Sequence, residues 1–263
     1  MTVLAAERIS IAFGGVRALD GVSFRAAAGI VFSIIGPNGA GKTTLFNVIS
    51  GLCPPDDGRV WLGGKDVTAL APERLAHRGL SRTFQNLQIF SQLTTLENVM
   101  VGRHRHESTG LVADLLHLPA VNRQNRFTRD AAFKALARVG LGAMAQRPAR
   151  SLAYGDLKRL EIARALATEP TVLLLDEPAA GCNPTETNNI ETMIRGIAAD
   201  GITVVLVEHD MRLVMNISDH IHVLANGHTL AEGDAAAIRA NPAVIEAYLG
   251  ARSAALEPAS AVR

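Results

Sequence analysis

The sequence predicts an α/β fold: a parallel sheet with helices on both faces and a helical insertion in its middle. Three observations point there. Short apolar runs at residues 29–35, 171–175 and 202–207 each stop at a glycine-rich or acidic segment. Each run is followed by a stretch of helical character. Between the first and second runs, residues 96–166 contain no convincing strand. Continuous apolar runs suit strands buried on both faces, and strands that alternate with helices pair in parallel.

Taken in order, residues 3–10 and 21–25 alternate loosely, like two short strands. Residues 29–35 form the first buried strand. The segment 42–50 follows as a helix, closed by Gly51 and by Pro54 and Pro55. In the middle span, residues 131–139 and 155–168 read as helices, with a more irregular stretch at 104–126. The strand at 171–175 leads to a helix at 185–199. The strand at 202–207 leads to a helix at 211–218. A last strand, 221–225, turns at Asn226-Gly227. Residues 252–263, containing Ala, Ser and Pro, read as a mobile tail.

Composition narrows the function. The 263 residues suffice for one large domain. A net charge of +1 argues against bulk electrostatic binding to nucleic acid. No apolar run approaches the ~20 residues that span a bilayer, and the N-terminal residues lack the pattern of a signal peptide. Membrane association is therefore expected only through a partner. Cys53 and Cys182 lie in no metal spacing and are expected as reduced thiols.

The chemistry starts at Gly36, Pro37, Asn38, Gly39, Ala40, Gly41, Lys42, Thr43 and Thr44, which fit G-x-x-x-x-G-K-[ST]. Glycines let successive backbone N–H groups point at phosphate oxygens, and the following helix presents its positive end. Lys42 reaches the β- and γ-phosphates, and the Thr43 hydroxyl ligates Mg²⁺. ATP and Mg²⁺ are thus the expected ligands. Asp176 and Glu177 close an apolar strand. Asp176 suits Mg²⁺, and Glu177 suits the general base that polarises the attacking water. His209 ends the third strand, where a γ-phosphate contact is favoured by its place beside the other two motifs. Gln85 carries a neutral side chain able to touch Mg²⁺ or the attacking water.

These motifs, with the segment Ser151-Leu-Ala-Tyr-Gly-Asp, occur in the order and spacing of an ABC-transporter ATPase, and residues 3–250 resemble that family. The resemblance implies one domain: a RecA-like P-loop core, an antiparallel β subdomain and a helical subdomain inserted at about 96–166, with a tail at 251–263. It implies that Phe13 stacks on adenine and that Gln85 senses Mg²⁺ and faces the membrane partner. Leu152, Ala153, Tyr154, Gly155 and Asp156 then form the signature, which caps the γ-phosphate held by a second subunit. Residues 179–184 take the D-loop position, Asn183 among them, and His209 is the switch. Two positions depart from the family pattern: Ala153 replaces the usual serine, and Asn183 the usual acid.

Phe13-Gly-Gly, Arg82-Thr-Phe-Gln-Asn, Arg159-Leu-Glu-Ile-Ala-Arg and Glu208-His-Asp-Met are similar to the LivG-type ATPases of branched-chain amino acid importers. The partners so implied are a second ATPase subunit, identical or homologous, two membrane permease subunits and, indirectly, a periplasmic or extracellular solute-binding protein. No nucleic acid is expected. The site of action would be the cytoplasmic face of the bacterial cell membrane. Three alternatives remain: an importer ATPase for amides or urea, a soluble ABC ATPase of translation or DNA repair, and a P-loop kinase or GTPase. A final cluster, His104, His106 and His117 with Arg103 and Arg105, fits no closed metal site and reads as a solvated, mobile stretch.

Overall fold

The computed structural model describes residues 1–83, 87–104 and 119–254. The chain opens with two long strands, β1 (Thr2–Phe13) and β2 (Val16–Ala27), joined at Gly14 and Gly15. With β4 (Asp57–Leu62) and β5 (Lys65–Asp66) they form an antiparallel sheet in the order β2-β1-β4-β5. The core sheet has six strands in the order β10-β9-β3-β8-β7-β6. Its members are β3 (Val31–Ile35), β6 (Leu80–Arg82), β7 (Val172–Asp176), β8 (Thr203–Val207), β9 (His220–Ala225) and β10 (His228–Gly233). β6 to β9 and β3 pair in parallel. β10 returns antiparallel at the edge, through a turn at Asn226 and Gly227 that both take positive φ. This edge hairpin departs from an all-parallel sheet, because a two-residue connection can only reverse direction.

Every residue of β3, β7 and β8 is buried. Alternate residues serve opposite cores. Phe32, Ile34, Leu174, Val205 and Val207 face the antiparallel sheet and α1 (Lys42–Ile49). Leu173, Leu175, Val204 and Leu206 face the helices on the other side. That is why these strands read as unbroken apolar runs rather than as alternation.

The span between β6 and β7 holds helices and no strand among the described residues. They are α3 (Thr95–Val101), α4 (Pro119–Arg138) and α5 (Tyr154–Leu166); α2 (Pro72–His77) precedes β6. α4 begins well before residue 131, so residues 119–126, expected to be irregular, are helical. Their polar composition carried no apolar period to reveal it. α6 (Pro184–Ala199) and α7 (Met211–Ile217) follow β7 and β8. α8 (Ala235–Ala240) and α9 (Pro242–Ala254) end the described chain. Helix α9 carries the first residues of the expected tail; residues 255–263 lie outside the described residues. Among the described residues no helix is long and apolar enough to cross a membrane.

Arg103 corrects the reading of its neighbourhood. It is 1% exposed, not solvated. Its guanidinium donates to the Ala167 carbonyl at 3.2 Å and to Glu169 at 2.5 Å, and lies over the Phe127 ring. It pins the end of α3 to the end of α5. His104 is exposed; Arg105, His106 and His117 lie outside the described residues.

Candidate functional site

The phosphate loop leaves β3 at Gly36 and enters α1 at Lys42. Gly36 has φ +152°, and a Cβ there would fall 2.1 Å from the Leu224 carbonyl oxygen. Gly41 caps α1 in the left-handed region, and its Cβ would fall 2.7 Å from the Ala18 oxygen. Only glycine satisfies both the angle and the close approach. The loop is braced from outside: Gly227 N–H donates to the Ala40 carbonyl at 3.1 Å. The first backbone N–H groups of α1 have no intrahelical acceptors, and no acidic side chain occupies its first turn. The result is a concentrated positive end.

Lys42 folds back over this loop. Its ammonium donates to the carbonyls of Gly36 at 2.7 Å and Pro37 at 2.9 Å. It is 6% exposed. Burial pushes it below the usual lysine range, and the Glu177 carboxylate partly opposes that. Thr43 is exposed and Thr44 half-buried.

Asp176 and Glu177 stand at the carboxyl end of β7, one strand from the end of β8. Asp176 is buried, and its Oδ2 accepts from Arg82 at 2.8 Å. The same guanidinium donates to Asn47 Oδ1 at 2.8 Å and Ser50 Oγ at 2.7 Å, and lies over the Phe46 ring. Arg82 thus ties the helix of the phosphate loop to the carboxylate of β7. Glu177 takes φ +50°. Its Oε1 lies 2.7 Å from His209 Nε2. The neighbouring Glu208 is buried and accepts from Ala179 N–H and His209 N–H, both at 2.9 Å. Lys42 lies within electrostatic reach of Glu177, which meets His209, so three residues far apart in sequence gather where β3, β7 and β8 end. This is where doubly wound sheets hold ligands.

The segment 152–156 lies at the start of α5. Ala153 is the N-cap, with φ −66°, ψ 159° and no side-chain cap. Tyr154 is half exposed, and Asp156 is ion-paired with Arg159. Asn183 caps α6 in a reciprocal box: its Oδ1 accepts from Glu186 N–H at 3.0 Å, and Glu186 Oε2 accepts from Asn183 N–H at 2.9 Å. Phe13 sits at the β1–β2 tip, 53% exposed.

A family described as "ABC transporter" matches residues 19–180. The chain belongs to the ABC transporter family. Within it, residues 228–254 match a second description, "Branched-chain amino acid ATP-binding cassette transporter". The chain is 45% identical over 249 residues to the high-affinity branched-chain amino acid transport ATP-binding protein BraF of Pseudomonas aeruginosa, covering 94% of this chain and 98% of that protein. Identity to the LivG protein of Escherichia coli K12, a protein of the same description, is 43% over the same shares. Among solved structures, an ABC transporter cassette in its ADP conformation superposes with a TM-score of 0.83 at 37% identity, covering 95% of this chain and 99% of that one.

As an ABC protein the chain has a RecA-like core, an antiparallel β subdomain and an inserted helical subdomain. Gln85 lies outside the described residues. Sequence reasoning quoted Arg82 and Glu208 within motifs but gave neither a role. Their signal was only a charged residue adjoining a buried strand. Asn183, where the family pattern has an acid, caps its own helix through its side chain. Ala153 lacks such a cap. Ala153→Ser is expected to stabilise α5 by roughly 1 kcal/mol and raise the melting temperature by about 2–4 °C in calorimetry. A lowered melting temperature would show that the hydroxyl finds no helix N–H.

Proposed function

We propose that this chain is the Mg²⁺-dependent ATP-hydrolysing subunit of an importer for branched-chain amino acids. It works on the cytoplasmic face of the cell membrane, paired with a second ATPase subunit, beside two permease subunits fed by a solute-binding protein. The observation that carries the hydrolytic reading is the contact between Glu177 and His209 at the strand end next to the Lys42 loop. The branched-chain reading is supported by the match at residues 228–254 and by the likeness to BraF and LivG.

The residues divide the work. The N–H groups of the loop 36–44 and the Lys42 ammonium bind the triphosphate, and exposed Phe13 offers a face for the adenine. Glu177 accepts the proton of the attacking water, and His209 holds that carboxylate and senses the γ-phosphate. Among the described residues no three His, Cys, Asp or Glu side chains gather to bind a metal alone. The Thr43 hydroxyl and the Asp176 carboxylate are the hard oxygen donors that suit Mg²⁺ shared with phosphates. The ion would neutralise charge on the phosphoryl oxygens. Residues 152–156 act on the nucleotide of the opposite subunit, so each site needs two chains.

The decisive test is ATPase activity of this chain reconstituted with its permease and binding protein in vesicles. Leucine, isoleucine or valine is expected to stimulate turnover several-fold. Stimulation by amides or urea instead, with no response to branched-chain amino acids, would overturn the solute assignment.

A further inference from the structure

Glu177 is held in a backbone conformation that a glutamate rarely adopts, with φ +50°. Such geometry persists only where its neighbours over-determine it. The Glu177 N–H donates to the Val207 carbonyl at 2.9 Å. Its own carbonyl accepts from Ala180 N–H at 3.2 Å. That same carbonyl also accepts from the ammonium of Lys158 at 3.4 Å.

Lys158 belongs to α5, the helix that opens with residues 152–156. It is 3% exposed, a placement lysine seldom takes without a carboxylate partner. Its ammonium lies 5.9 Å from the centre of the Tyr154 ring, one helical turn back. The seat under this turn is close. A Cβ on Gly155 would come within 2.7 Å of the Glu186 carboxylate, and one on Gly181 within 3.0 Å of the Tyr154 ring. In this close seat against residues 179–186 the Lys158 ammonium reaches the Glu177 carbonyl.

We propose that Lys158 is a positioning residue for ATP hydrolysis. It clamps the strained Glu177 backbone and so ties the aim of this chain's own carboxylate to the seating of its own signature helix. The helix tip serves the opposite subunit's nucleotide, while its second turn steadies the base of this one. A helix lifted from its seat withdraws the clamp and leaves Glu177 misaimed. The inference rests on the reading of Glu177 as the general base.

The test is steady-state ATP hydrolysis by the full-length chain at a concentration that favours dimers, with melting temperatures measured alongside. Lys158→Met is expected to lower kcat about tenfold while the KM for ATP stays within about twofold. Lys158→Arg, which keeps a cationic donor, is expected to recover most of kcat. Both variants should melt close to the parent. Parental kcat in Lys158→Met overturns the clamp if Glu177→Gln is inactive. A fall in kcat that accompanies a lowered melting temperature and that Lys158→Arg fails to restore also overturns it, because packing alone would explain that. Parental turnover in Glu177→Gln is a separate failure, of the underlying base assignment.

Discussion

Glu177→Gln is expected to keep ATP binding and lose turnover by roughly 10²–10⁴-fold, the range that a positioned general base contributes. The substitution is nearly isosteric. The left-handed backbone is fixed by main-chain bonds to Val207 and Ala180, which the amide leaves intact. An amide oxygen can still accept from His209 across the 2.7 Å contact. What disappears is the ability to take a proton. ATP should therefore stay bound, and the two-chain state that it closes should persist. Single-turnover hydrolysis with sedimentation in ATP reads both. Hydrolysis at the parental rate would remove Glu177 from its role.

Lys42→Ala is expected to weaken ATP binding about 10–100-fold, the worth of one or two hydrogen bonds from a charged donor to phosphate. Its effect on the stability of the nucleotide-free protein should depend on pH. Burial lowers the Lys42 pKa, so the native state disfavours the charged ammonium. A lysine whose folded pKa is lowered makes the protein less stable below that pKa, and the penalty fades as pH rises toward the ordinary lysine value. The alanine variant also loses the carbonyl contacts at 2.7 and 2.9 Å, so the pKa shift fixes the pH trend: the melting difference between variant and parent should move in the parent's favour as the buffer becomes alkaline. Titration calorimetry gives the affinity and thermal melts give the rest. Unchanged affinity, or a melting difference that moves the opposite way with pH, would contradict this account. Lysine would then be held for structure, not for phosphate.

The parts legible in the sequence were those with their own local cause. The runs at 29–35 and 171–175 read as strands because they are unbroken and apolar, and the strands Val31–Ile35 and Val172–Asp176 are buried on both faces. The loop at 36–44 read as a phosphate cradle because its spacing fits G-x-x-x-x-G-K-[ST] between a strand and a helix. The Asn226-Gly227 turn declared itself through a residue pair that tolerates the positive φ both positions take. β6 escaped notice because it has three residues and is defined only by its pairing with β7. β10 escaped because it is a partly exposed edge. Arg82, Arg103, Lys158 and Glu208 escaped for a shared reason. A charged side chain looks solvated in sequence, and only tertiary structure shows that each of these reaches a partner 19 to 94 residues away.

One feature of the sheet bears on how the chain is made. β3, which carries the phosphate loop, lies between β8 and β9. Its partners are synthesised about 170 residues later, which at ribosomal speed is roughly 10–30 seconds. The antiparallel strands β1, β2 and β4 can pair among themselves soon after they emerge. β3 cannot. For that interval the most chemically important loop of the protein hangs from a strand with both edges bare. Until the sheet closes around it, this apolar strand keeps unpaired edges on which chaperones or neighbouring chains can dock.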